Sequence, residues 1–222
     1  MLSSTNANLQ DSIKLQFALA NAVFDAGIAA WDAKRFFDSS RPISAIRCLY
    51  AGQSVQAWAG PWRGVQTMDG GRWIPYQEAN FVTPPFSEYV SGHSTFSTAA
   101  ATVLTHFFGS PNWIGPNSVT VNEGESSFEP RITSVSDPRY IAGVTDVPNT
   151  GYNTVGYSPR APVTLTWSTW SQAAEEAGIS RIYGGIHIQD GNVDGQMLGS
   201  EVGEAVWTRS ANLFAGVKSK CS

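Results

Sequence analysis

The chain has 222 residues, 42% hydrophobic and 14% charged, with 8 Trp and 11 Phe, so it can bury a proper core and is neither disordered nor fibrous. A formal net charge of -4 with no cluster of Lys or Arg argues against a nucleic-acid or anionic-membrane surface, and any positive potential has to be local. Cys48 and Cys221 are too few for a disulfide framework or a thiolate zinc site.

The polar N-terminus lacks the basic stretch and apolar run of a signal peptide. No stretch offers about 18 uninterrupted apolar residues, so no membrane insertion is expected. From Asn8 to about Phe37, the residues Ile13, Phe17, Ala20, Phe24, Ile28 and Trp31 recur at intervals of three and four, which predicts one long amphipathic helix with this apolar stripe. Pro42 restricts Arg41 and suits the first turn of a new helix, so a corner falls between residues 38 and 42. Residues 51–86 are rich in Gly, Pro and Trp without a sustained period and read as an irregular connection with room for one short helix. A helix is predicted from Ser94 to Phe108, with Phe96, Ala100, Val103 and Phe107 on one face. Residues 109–162 read as a long loop insertion in which alternation over Ser118–Asn122 suggests strands of a surface β-flap. Two helices follow, from about Ser168 to Ala177 and from about Asp194 to Leu213, the second with Leu198, Val202, Ala205 and Val206 as its buried stripe. The expected organisation is one mainly α domain over residues 1–222.

Three segments carry chemistry. Lys34 and Arg41 set two cations at the helix corner, an arrangement that alone usually marks a solvated face. Ser91-Gly92-His93 stands where a loop enters a helix. There a hydroxyl, free backbone N–H groups and a glycine that admits close approach are the parts of an anion site, or simply an N-cap followed by a surface histidine. Arg181 and His187 flank Gly184-Gly185, joining a planar fork of donors to an imidazole. Two of the chain's three histidines lie in these segments. His106, on the helix after the second, reads as structural.

Taken in order, Lys, six residues, Arg-Pro, then Ser-Gly-His, then Ser-Arg, five residues, His resembles the signature shared by vanadium haloperoxidases and the type 2 phosphatidic acid phosphatase superfamily. The resemblance spans residues 31 to about 207, with 109–162 as an insertion between the second and third motifs. It implies a mainly α helical bundle of that type with long irregular loops. It also implies that His187 is the axial ligand of vanadate, or in a phosphatase the nucleophile that accepts the phosphoryl group. His93 would be the acid–base residue, while Lys34, Arg41, Arg181, Ser91 and the Gly92 N–H would hold the equatorial oxygens. Vanadate and a phosphoryl group in flight are both five-coordinate oxyanions, so one pocket of cations and N–H donors suits either, and phosphate can occupy the vanadate site. The chain departs from the family pattern at Gly191, where an Asp often stands four residues after the last histidine. Which group orients His187 is therefore open: a backbone carbonyl is one choice, with Asp190 and Asp194 then serving only to begin the last helix.

Trp31 and Phe86 resemble the aromatic pair beside the cofactor in chloroperoxidase-type members. The reading that follows is vanadate-dependent oxidation of halide by hydrogen peroxide to hypohalous acid, which halogenates a small organic acceptor. In it His93 takes a proton from the peroxide and Lys34 polarises it, with vanadium acting as a Lewis acid. The alternatives are a soluble acid phosphatase working through a phosphohistidine, or a non-catalytic partial member. Relatives carry further helices ahead of the Lys-containing segment, whereas only about 30 residues precede it here. If the chain is complete, a partner subunit, as in a homo-oligomer, is expected to cover the apolar faces so left. Relatives of this type are often secreted or periplasmic.

Overall fold

The computed structural model describes residues 8–145 and 156–217. Its elements are α1 (Leu9–Phe37), α2 (Pro42–Leu49), β1 (Ser54–Trp58), β2 (Val65–Asp69), α3 (Gly92–Phe108), β3 (Ser118–Val121), β4 (Val163–Thr166), α4 (Trp170–Tyr183) and α5 (Gln189–Phe214). They form two compact units, one from Met1–Arg41, Pro85–Asn117 and Trp167–Ser222, the other from Pro42–Pro84 and Ser118–Thr166, each over its described residues. Cys221 lies outside the described residues.

The first unit is a helical bundle of α1, α3, α4 and α5. Asn8 caps α1 by accepting from the Asp11 N–H at 2.9 Å, and the helix ends where Asp38 turns left-handed at φ 41°. Its buried face is Leu15, Ala18, Ala22, Ala26, Ala30 and Lys34, largely a ladder of small residues four apart. The predicted stripe points the other way: Ile13, Phe17, Phe24, Ile28 and Trp31 are all exposed, Phe24 by 67%. Small side chains admit a neighbouring helix at close range, and the bulky stripe would hold it off. The stretch Leu9–Leu49 also contains a window long and apolar enough to cross a membrane by length and composition, although Gln16, Asn21 and Asp25 interrupt it.

The last helix shows the same substitution of small for large. The buried positions of α5 include Gly191, Gly195, Gly199 and Gly203, with Val206 and Ser210 beyond them. Of the predicted stripe, Val206 is buried, Leu198 and Val202 are half-buried and Ala205 is exposed. The glycines touch α3. A Cβ on Gly199 would stand 2.4 Å from the Thr95 carbonyl oxygen, and one on Gly195 would stand 2.9 Å from the Ser91 carbonyl oxygen. Ala18, Ala22 and Ala26 of α1 meet Ala99, Val103 and Val206 in the core, with Leu19, Phe96, Val202, Trp207 and Phe214 around them. A second cluster of Ala101, Trp170 and Ala174 joins α3 to α4. α4 starts with a Thr169–Gln172 capping box and continues to Tyr183, past the predicted end near Ala177 and far enough to carry Arg181 in its last turn.

In the second unit, residues 51–86 are less irregular than their composition suggests. β1 and β2 pair antiparallel from Ser54↔Asp69 to Trp58↔Val65. The buried carboxylate of Glu129 ties this hairpin down, accepting from Trp58 Nε1 at 3.1 Å, Trp62 N at 2.9 Å and the Tyr76 hydroxyl at 2.7 Å. The predicted β-flap strand is β3, and its partner β4 lies just beyond the expected insertion, at Val163–Thr166.

The glycine ladder makes a stability prediction. Gly199→Ala gains helix propensity of about 1 kcal/mol but drives a methyl into the Thr95 backbone, so a net loss of about 1–3 kcal/mol is expected in urea unfolding. Gly27→Ala in α1 meets the edge of the Phe96 ring at 3.3 Å and is expected to stay within about 1 kcal/mol of the wild type. Equal effects of the two would contradict this account of the helix contact.

Candidate active site

Every element that carries a candidate residue ends or begins at one end of the first unit. On the buried face of α1, Lys34 follows Ala30 by one turn, so helix geometry itself turns the ammonium inward. Lys34 Nζ donates to the carbonyls of Ser87 at 3.0 Å, Glu88 at 3.0 Å and Val90 at 2.5 Å. An ammonium has three donors, so all are engaged in holding the segment that enters α3. Lys34 therefore offers charge rather than a free N–H, whereas the resemblance implies that it holds an equatorial oxygen. Burial and the nearby Arg41 push its pKa down to about 8, against the opposing pull of Glu88.

Arg41 is buried as well, donating from Nε to the Phe86 carbonyl at 2.9 Å and from Nη1 to the Ile186 carbonyl at 2.8 Å. Its Nη2 is buried without a hydrogen-bond partner among the described residues. Arg181 is half-buried in the last turn of α4. Its charge lowers the pKa of both Arg41, where it adds to burial, and His93, which places these groups within electrostatic reach of one another.

The Gly184-Gly185 pair acts as a turn. Gly185 at φ 71° folds the chain back so that the N–H groups of Ile186 and His187 both return to the Arg181 carbonyl, at 3.2 and 3.3 Å. This fixes the distance between the guanidinium-bearing helix and the imidazole. His187 is buried, with Nε2 3.0 Å from Arg41 Nη1 and Nδ1 2.5 Å from Glu88 Oε1. Arginine can only donate, so Nε2 is the acceptor and the ring proton sits on Nδ1, directed at the carboxylate. Burial lowers the His187 pKa, aided by Arg41 and Lys34 and opposed by Glu88, which leaves a neutral ring with its lone pair among the cations.

Glu88 is the site residue that the sequence reading misses. It is fully buried, and its Oε1 also accepts from the Ile188 N–H at 3.2 Å. No motif flags it, since it reaches His187 from 99 residues away in the chain. Asp190 and Asp194 have other places: Asp190 is in the first turn of α5, and Asp194 accepts from the Tyr89 hydroxyl at 2.9 Å.

Ser91 is the N-cap of α3, its hydroxyl accepting from Ser94 N at 3.3 Å. A Cβ at Gly92 would meet the rings of Phe96 and Trp31 at 3.4 and 3.5 Å, ordinary contact distances, so the two rings line this position without closing it to a small side chain. His93 is exposed, and its pKa is lowered by desolvation, by Arg181 and by His187. Trp31 and Phe86 pack at 5.2 Å between ring centroids, with Lys34 Nζ 5.8 and 5.4 Å from the two rings and the Arg41 guanidinium 5.1 Å from Phe86. They wall the cations. His106 lies on the outside of α3, bonded to Glu204 at 2.7 Å and stacked on Trp207.

The chemistry of this donor set fits a tetrahedral or five-coordinate oxyanion. Buried Lys34 and Arg41 lie beside a single buried carboxylate, half-buried Arg181 is within electrostatic reach of Arg41 and His93, a buried guanidinium N–H is unpartnered among the described residues, and one imidazole lone pair is directed at Arg41.

A family model described as the VCPO second helical-bundle domain matches residues 14–216. Among solved structures, a holo-type bacterial vanadium-dependent chloroperoxidase is similar with a TM-score of 0.67 and 23% identity, over 88% of this chain and 35% of its own. An apo-type bacterial vanadium-dependent chloroperoxidase gives 0.70 and 22%, over 90% and 36%. A bacterial vanadium-dependent iodoperoxidase gives 0.57 and 26%, over 93% and 35%. The chain thus spans about a third of the length of the solved chains it matches. No curated protein matches. With a mainly α bundle and nearly its whole length matched by one family model, the chain belongs to the family of the VCPO second helical-bundle domain.

Proposed function

We propose that the chain binds vanadate on His187 and, so loaded, oxidises halide with hydrogen peroxide to hypohalous acid for use on a small organic acceptor. The observation that carries this reading is the His187 ring, neutral and buried, with its Nε2 lone pair turned toward Arg41 beside an unpartnered guanidinium N–H. The solved structures similar to this chain are named as vanadium-dependent chloro- and iodoperoxidases.

Bound vanadate supplies a Lewis-acidic centre that activates peroxide without itself changing oxidation state. The protein does the rest. His187 offers Nε2 as the ligand atom, and Arg41 and Arg181 take up the negative charge of the oxygens. Lys34 adds charge while bracing the 87–90 segment. His93, held neutral by desolvation and by Arg181, is a base for the proton of incoming peroxide and returns it to the departing oxygen, so that peroxide, halide and one proton become hypohalous acid and water. Trp31 and Phe86 donate no hydrogen bond from their ring faces and exclude water from the cationic wall.

The direct test loads the protein with orthovanadate and supplies peroxide, bromide and an activated phenol. Halogenation is expected, and His187→Ala abolishes it. Loaded protein that leaves the phenol untouched, while the vanadate-free form hydrolyses an aryl phosphate, would replace this reading with a phosphatase in which His187 accepts the phosphoryl group.

A pH dependence follows from Lys34. Its proton leaves the folded chain near pH 8 and the unfolded chain only near 10.5, so the unfolded state holds the extra proton between these values and stability rises with pH across the window. Oxyanion affinity moves oppositely, because the site loses a positive charge. Titrating with sulfate, which keeps its charge in this range, is expected to show affinity falling by about 10-fold as the pH passes 8. Lys34→Met removes that step, and a step that survives the substitution belongs to another group.

A further inference from the structure

We propose that Glu88 and Gly191 are a matched pair, in which the carboxylate that orients His187 comes from the irregular segment before α3 and Gly191 is a glycine because that carboxylate fills the space of its side chain. A Cβ built on Gly191 would lie 2.2 Å from Glu88 Oε1 and 2.8 Å from Oε2. The backbones are locked together at the same point, Ser91 N donating to the Gly191 carbonyl at 2.7 Å, so neither segment can draw back to admit a side chain. Oε1 of that carboxylate holds the His187 Nδ1–H at 2.5 Å.

Position 191 lies four residues after His187, and its Cβ would stand 2.2 Å from the very oxygen that holds Nδ1, so a short acidic side chain there would occupy the place of the Glu88 carboxylate. The site holds one carboxylate at this place and has room for one. Glu88 is fully buried with no water-accessible surface, and its Oε2 has no hydrogen-bond partner among the described residues. A carboxylate placed at such cost, on an imidazole that has no other acceptor for its Nδ1 proton among the described residues, is a positioning residue: it fixes the tautomer and the plane of the ring, and so the direction in which Nε2 points.

The pairing is tested by moving the carboxylate. Ring ¹⁵N spectra of the anion-free full chain report the His187 tautomer, and orthovanadate titration reports affinity. The affinity arm rests on the proposed function, whereas the tautomer arm does not. Wild type is expected to hold a single Nδ1–H tautomer. Glu88→Ala is expected to lose it and to bind orthovanadate about 10- to 100-fold more weakly. Gly191→Asp alone is expected to unfold more easily and to bind no better than Glu88→Ala, because two carboxylates collide. The double variant Glu88→Ala/Gly191→Asp is expected to regain both the tautomer and affinity to within a few-fold of wild type, which a residue serving only to fill space would not produce. Glu88→Gln, whose amide oxygen still accepts from Nδ1, is expected to keep the tautomer and serves as the folded reference should Glu88→Ala not fold.

An unchanged tautomer in Glu88→Ala, or a double variant that folds and shows no more of the Nδ1–H form than Glu88→Ala, overturns the proposal. Where Glu88→Ala does not fold, a double variant that folds without the tautomer of Glu88→Gln overturns it equally. A wild-type chain that takes up no orthovanadate sinks the proposed function, and the tautomer comparison then decides the pairing alone.

Discussion

The close approach of α5 to α3 is the constraint on which the rest of the site depends. Gly195 and Gly199 let the first half of α5 lie against the carbonyls of Ser91 and Thr95, where a larger residue would collide with backbone, and Gly191 leaves room for the Glu88 carboxylate. Because both helices make this contact through their N-terminal halves, the segments that precede them, 86–91 and 184–188, are brought together. Those segments carry Glu88 and His187. The helix α1 obeys the same rule with alanine, and Lys34 is the next position in the series Ala18, Ala22, Ala26, Ala30. A packing ladder thus carries a cation inward as its last rung.

Burying that much positive charge would be destabilising without compensation. Here the compensation is mostly backbone: three carbonyls around Lys34 and two around Arg41, against one carboxylate. Carbonyl dipoles satisfy hydrogen bonds but leave the excess charge in place; burial first, and neighbouring cations after it, push the pKa values of Lys34, Arg41 and His187 down. An anion entering the site relieves that strain directly, so the same arrangement that weakens the empty bundle strengthens its hold on an oxyanion.

How far this was legible in the sequence depends on the range of the interaction. The long first helix and the approximate spans of α3, α4 and α5 follow from local periodicity, and the bundle is what the family resemblance implies. Which face of α1 turns inward does not: periodicity finds the stripe of Phe and Ile, while helix packing selects alanine. The hairpin of β1 and β2 was hidden because its strands are short and its surroundings rich in glycine and proline. β3 showed its alternation, but β4 pairs with it from more than forty residues away. Lys34, Arg41, His93, Arg181 and His187 stand out because their spacing is fixed by helix ends and tight turns. Glu88 belongs to no such pattern, and its partner is identified only when two distant helix starts meet.

Glu88 also explains how α5 begins. The N-cap position is Ile188, which has no side chain able to cap, and its own N–H is taken up from outside the helix by Glu88 Oε1, the bond that the acidic member of a capping box would make. The same oxygen holds the His187 ring. Negative charge at a helix N-terminus is favourable, so the carboxylate stabilises the start of α5 while it orients the imidazole one residue earlier. Fold and chemistry therefore share one atom. Any displacement of α5 along α3 moves the cap, the ring and the direction of Nε2 together, which is why the glycines that set the helix contact belong to the functional geometry as much as the charged groups do.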